Sequence, residues 1–233
     1  MSTDLQQWLW GVGALVAAYL VGSLSFAVIV SRLMGLADPR SYGSKNPGAT
    51  NVLRSGNRKA AVLTLLFDAL KGYVPVALAV WFGPRVGIGE SLAAFIGLAA
   101  FLGHLWPVFF RFQGGKGVAT AAGVLLGLNL PLGGLVLMTW LVVAYLSRYS
   151  SLAAIVAALV APLYDLLLWD GGTPAIAIIV MSLLLIWRHF GNIQKLIAGT
   201  ESKIGQKPGG GTTLPMHPSA HHHSHHHKRK GAK

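Results

Sequence analysis

Cysteine is absent from this chain, so disulfides and thiolate metal sites are excluded, and nothing in it depends on redox compartment. Charge is scarce too. Charged residues make up 11% of the 233, against about 25% in ordinary soluble domains, while 53% are hydrophobic. That balance fits an integral membrane protein. Acids are the scarcest group, seven against 19 lysines and arginines, for a formal charge of +12. On a soluble surface such a charge would suggest nucleic acid. Placed in loops between apolar runs, it points to anionic headgroups and anionic substrates, and no nucleic-acid partner is expected. The N-terminus also lacks the basic segment and small-residue cleavage site of a secretory signal, so its apolar run is expected to be retained.

A bilayer core needs about 17–25 apolar residues per helix. Candidate spans are 8–31, 60–82, 91–110, 118–130, 132–147, 151–168 and 174–190. The fourth and fifth come from one apolar block broken at Asn129-Leu130-Pro131, since proline cannot donate within a helix. One long kinked helix is the alternative. Loop charge decides the count. With seven spans and the N-terminus outside, every basic residue but Arg85 and the intramembrane Lys71 falls on the inner side, as the positive-inside tendency requires. The expectation is therefore an all-α integral membrane protein with seven transmembrane helices, its N-terminus outside and its C-terminus cytoplasmic. Inside the second span, Asp68 and Lys71 share a face at three-residue spacing. Ionisable groups at that depth pair and face the bundle interior, so a structural ion pair is expected.

Three cytoplasmic segments carry most of the polar chemistry. The first runs from Gly43 through Ser44, Lys45, Asn46, Pro47, Gly48, Ala49, Thr50 and Asn51 to Arg54. It offers hydroxyls, carboxamides and a guanidinium to phosphate or hydroxyl groups. The second runs from Gly103-His104 through Trp106-Pro107 to Gly114-Gly115-Lys116-Gly117, which opens an apolar helix. A glycine-rich turn lets backbone N–H groups converge on an anion, and Lys116 adds a point charge beside a helix N-terminus. It is not a nucleotide-binding phosphate loop, because Gly117 replaces the required Ser or Thr and no strand precedes it. The third is Arg188-His189-Phe190-Gly191-Asn192, where His189 and Asn192 share a helical face. Glu201 follows and is expected to pair with a loop arginine. All three segments fall on one side of the membrane, where they can surround one anion.

These stretches resemble the bacterial acyl-phosphate:glycerol-3-phosphate acyltransferases, the PlsY family, from about residue 15 to 205. The likeness rests on GSKNPGATNVLR at 43–54, Asp68 with Lys71-Gly72, GHLWPVFFRFQGGKGVAT at 103–120, Ser150-Ser151-Leu152 and RHFGNIQKL at 188–196. One departure is Lys45, where the family commonly has glycine. The resemblance implies seven helices in the bacterial inner membrane and a cytoplasmic active site. It also implies acyl transfer from acyl phosphate to the 1-hydroxyl of glycerol 3-phosphate, giving lysophosphatidic acid and phosphate. Carried over, it puts Ser44, Arg54, Lys116, His189 and Asn192 in the catalytic site. Asn46, Thr50, Asn51, Gly114, Gly115 and Gly117 join them in binding substrate, and Asp68, Lys71 and Glu201 are structural. No cofactor or metal is expected, and the partners are the two substrates and membrane lipids around a monomer.

A transporter for a phosphorylated solute would also use a basic funnel and a buried ion pair, but no internal repeat is evident. A metal-dependent alcohol phosphatidyltransferase needs an aspartate cluster, and only Asp38 and Asp68 are available on that side. Neither His104 nor His189 is followed by aspartate five residues on, as the acyl-CoA-dependent type requires. Residues 1–204 form one membrane domain. Residues 205–233 read as a disordered Gly/His/Lys-rich tail without catalytic role.

Overall fold

A computed structural model describes residues 3–206, and the expectation for the tail lies almost wholly outside them. The fold is all-helical, with no strand among the described residues. In chain order the helices are α1 (Thr3–Gly22), α2 (Phe26–Leu33), α3 (Ala49–Leu53), α4 (Arg58–Phe82), α5 (Glu90–Leu105), α6 (Val118–Leu128), α7 (Leu130–Ser147), α8 (Ser150–Leu168), α9 (Gly172–Arg188) and α10 (Phe190–Ile197). Among them α1, α4, α5, α7 and α8 are long and apolar enough to cross a bilayer, and α9 with α10, bent by 55°, makes a sixth candidate. The seventh expected span corresponds to α6, whose 11 residues cover about 16 Å, roughly half a hydrocarbon core.

The core lies where α4 packs on α6, α5 on α1, α4 and α9, and α8 on α7 and α9. Phe101, Leu105, Val124, Leu132 and Ile178 are buried there, while Leu66, Leu78, Leu141, Leu163 and Leu183 face outward. An apolar exterior around an apolar interior is what a helix bundle in lipid requires.

Several boundaries differ from the sequence expectation for local reasons. Asn129 does separate two helices, its carboxamide oxygen accepting the Leu132 N–H at 3.0 Å. Pro131 then sits in the first turn of α7, where a missing N–H costs nothing, so α7 starts two residues earlier than expected. α5 stops at Leu105, before Pro107, rather than running to 110. The expected span 8–31 is instead broken into α1 and α2 at Ser23-Leu24-Ser25.

That break exposes backbone groups which lipid cannot satisfy, and the charges on α4 satisfy them. Lys71 Nζ lies 2.9 Å from Asp68 Oδ1 and donates to the Leu24 carbonyl at 2.7 Å. The Phe26 N–H meets the same carboxylate. On the other flank, Thr120 Oγ1 donates to the Asp68 carbonyl at 2.9 Å and lies 3.2 Å from His104 Nδ1. Its only proton being spent, Thr120 accepts from His104, which fixes the proton on Nδ1. One pair thereby joins α4, the α1–α2 break, α5 and α6.

Asp68 and Lys71 side chains are 3% and 2% exposed, so removing one partner strands the other charge in the bundle. Asp68→Ala or Lys71→Ala should each cost about 3–5 kcal/mol, and the apolar double replacement Asp68→Leu/Lys71→Met much less. Reversible unfolding in mixed micelles measures both.

Candidate active site

The loop after α2, the glycine turn before α6 and the α9–α10 bend converge on one cavity of about 640 Å³. Ser44, Asn46, Thr50, Arg54, Lys116 and Gly117 line its mouth, with His189, Asn192 and Glu201 opposite. The cavity continues between α6, α7, α8 and α9, past Leu125, Trp140, Ala157, Ala161, Ile178 and Met181. Charge sits at one end and hydrocarbon at the other.

Local structure explains how each group is aimed. Gly117 holds φ +85°, a left-handed conformation that side chains resist, and so turns the chain from Lys116 into α6. A Cβ at Gly114 would strike the His104 and Leu105 carbonyls, so only glycine allows the turn to lie on the end of α5. Lys116 donates to the Asn192 carboxamide oxygen. Asn192 Nδ2 donates to Glu201 Oε1 at 2.7 Å, and Ser151 Oγ donates to the same oxygen at 2.6 Å. Arg54 donates to Ser202 Oγ at 2.5 Å. His189 is buried at the α9–α10 bend, with Nδ1 2.8 Å from the Leu185 carbonyl. A carbonyl only accepts, so the proton is on Nδ1, and in the neutral ring Nε2 keeps a lone pair.

The structure adds detail to three sequence expectations. Of the glycine turn's N–H groups, expected to face an anion, that of Gly115 is spent on the His104 carbonyl at 3.2 Å. The carbonyls of Gly115 and Gly114 accept from Arg188 Nε at 3.1 Å and Nη2 at 2.8 Å, which clamps the turn from behind. Neither Gly114 nor Gly115 lines the cavity, whereas Gly117 does. Asn51, expected to bind substrate, lines the cavity, and its carboxamide also ties its own loop together. Its oxygen accepts the Ser44 N–H at 3.0 Å, and its nitrogen donates to the Pro39 carbonyl at 2.6 Å and that of Tyr42 at 3.2 Å. Glu201 pairs with Asn192 and Ser151 rather than with an arginine.

Arg188 and Ser151, quoted among the motifs without a role, and Ser202, next to Glu201, also take part, and only tertiary contact reveals their partners. Lys45, in the position noted as a departure, holds φ +56°, which glycine adopts without cost.

Electrostatics favour an anion at the mouth. Burial holds the Lys116 ammonium down at about 8, against Glu201, which favours its charged form, and with help from Lys195, Arg188 and Arg54.

Fold and site together define an integral membrane protein with a chamber lined by Arg54 and Lys116 that opens into an apolar one. A model of the glycerol-3-phosphate acyltransferase family matches residues 12–199. A glycerol-3-phosphate acyltransferase of Paraburkholderia phytofirmans is 64% identical over 192 residues, 82% of this chain and 90% of that protein. Among crystal structures, that of PlsY (YgiH), an integral membrane glycerol 3-phosphate acyltransferase in its glycerol 3-phosphate form, superposes with a TM-score of 0.76. It is 39% identical, covering 84% of this chain and 96% of that one. Its lysophosphatidic acid form gives 0.74 at 38% identity, covering 83% and 94%. The chain belongs to the glycerol-3-phosphate acyltransferase family.

Only the charged form of Lys116 attracts an anion. The kcat/KM for glycerol 3-phosphate should therefore fall as pH rises through about 8, roughly tenfold per further unit. Lys116→Arg, whose guanidinium stays charged, should lose that alkaline limb whatever its absolute rate. A pH profile of initial rates checks both.

Proposed function

We propose that this protein transfers a fatty acyl group from acyl phosphate to the 1-hydroxyl of glycerol 3-phosphate, forming lysophosphatidic acid and inorganic phosphate. The reading includes a seven-span bundle in the bacterial inner membrane, with the N-terminus outside and the active site at the cytoplasmic leaflet. The loop-charge distribution supports that orientation. The observation that carries the chemistry is the continuity of the cavity: a cationic mouth around Lys116 and Arg54 leads into an apolar chamber between α6 and α9. A mixed anhydride between a fatty acid and phosphate has those two ends.

Acyl phosphate has a good leaving group, so the main task is to hold two anions at reacting distance. Lys116 and Arg54 offset phosphate charge, and Arg54 can do so bidentately. Ser44 and Asn46 border the same mouth. His189 Nε2 accepts from the glycerol hydroxyl and orients its oxygen towards the acyl carbon. That oxygen bonds to the carbon, the bond from carbon to the phosphate oxygen breaks, and the hydroxyl proton passes to a phosphate oxygen. Inorganic phosphate leaves. Positioning of this kind can supply about 7–11 kcal/mol of the barrier. Asn192 holds Lys116 in place, and Glu201 with Ser151 holds Asn192.

Release of inorganic phosphate by the pure protein in detergent should depend on both acyl phosphate and glycerol 3-phosphate. A transporter, which needs a sealed membrane, would release none. Lys116→Ala should reduce kcat/KM by about 10²–10³-fold, the scale set by losing one preorganised charge-stabilising donor. His189→Gln keeps a hydrogen-bonding group but no base. It should retain measurable turnover if phosphate takes the proton, and complete loss with intact substrate binding would make His189 the base instead.

A further inference from the structure

A second cavity, of about 410 Å³, is walled by Arg40, Lys45, Phe112, Gln113, Gly114 and Arg188, and shares no lining residue with the one that Lys116 enters. Its charges are not balanced. Arg40 is held by Asp38, with Nε 3.0 Å from Oδ1 and Nη2 2.6 Å from Oδ2. Lys45 and Arg188 have no carboxylate within 4.0 Å among the described residues. Two of the five N–H donors of Arg188 are spent on Gly114 and Gly115, leaving three, and the Gln113 amide makes no side-chain hydrogen bond among the described residues. Lys45 and Phe112 hold φ of 56° and 58°, so two side chains of this wall are kept in a backbone conformation that L residues resist.

We infer that this outer pocket is a second phosphate-binding site. A guanidinium fork, a mobile ammonium and an amide are the donor set that phosphate oxygens match, and two uncompensated positive charges suit a phosphate mono- or diester. The assignment is independent of the acyl transfer proposed above. Through Arg188 it is tied to the carbonyls of Gly114 and Gly115, next to Lys116, so an anion here shares one guanidinium with the glycine turn. The phosphate can come from water or from an anionic lipid headgroup, and the chemistry of the site is the same for both.

Calorimetric titration of inorganic phosphate into the pure protein in neutral detergent, without acyl donor, tests this. At least two phosphates should bind per chain, one of them outside the cavity that Lys116 enters. Lys45→Asn, which removes the charge but tolerates the left-handed backbone, should weaken that one at least tenfold and leave the rest. Lys45→Gly should do the same if the asparagine variant does not fold, and Lys116→Ala should remove the complementary site. A single phosphate in the unmodified protein, or unchanged affinities after loss of Lys45, overturns the inference. Repeating the titration in lipid nanodiscs identifies the source. Outer binding retained in both zwitterionic and anionic discs points to free phosphate, and loss in anionic discs alone points to a headgroup. Absence of turnover in a protein that still binds two phosphates would refute the acyltransferase reading without touching this one.

Discussion

The bundle is organised by a single ion pair in a medium that tolerates none unsatisfied. Asp68 and Lys71 neutralise each other, and each also engages a neighbour: Lys71 the Leu24 carbonyl, the Asp68 carboxylate the Phe26 N–H, the Asp68 carbonyl Thr120. Thr120 in turn accepts from His104, and the His104 carbonyl receives the Gly115 N–H. A chain of short contacts thus runs from the break in the first span to the residue before Lys116. The desolvation cost of the pair is offset because its charges also satisfy backbone groups that lipid would leave bare.

At the mouth, polar groups divide into those that face the cavity and those that hold the first set still. Lys116, Arg54 and His189 line the cavity. Asn51 organises the loop bearing Ser44, and Arg188 clamps the glycine turn from behind. Glu201 is central to this support: it fixes Asn192 and Ser151 while its charge favours the ammonium of Lys116. Removal of such a group would act through another side chain, by misplacement rather than by lost contact.

Much of this architecture is legible in the amino-acid sequence. Apolar run lengths located most helices within a few residues, and the three-residue spacing of Asp68 and Lys71 marked their pairing. The convergence of three polar segments followed from counting loops. What escaped is instructive. Gly22 ends α1 and Ser25 stands at the N-cap of α2, but such residues are common inside apolar helices of membrane proteins, and what stabilises the break lies 47 residues away on α4. The clamp of Arg188 on the Gly114 and Gly115 carbonyls depends on contacts across 74 and 73 residues, which composition does not encode. The loop contacts of the Asn51 carboxamide and the true partners of Glu201 are likewise tertiary facts.

The short sixth helix has a consequence for where reactants meet. Thr120 docks against Asp68 and Gly72, so α6 lies along the middle of α4 rather than level with its Arg58 end. Asp68 is about 15 Å along α4 from Arg58, and Lys116 stands two residues before the start of α6. Under the proposed reaction, a donor anchored by its tail need not be lifted towards water. The small, water-borne alcohol descends to it instead, and only one of the two has to traverse the headgroup layer.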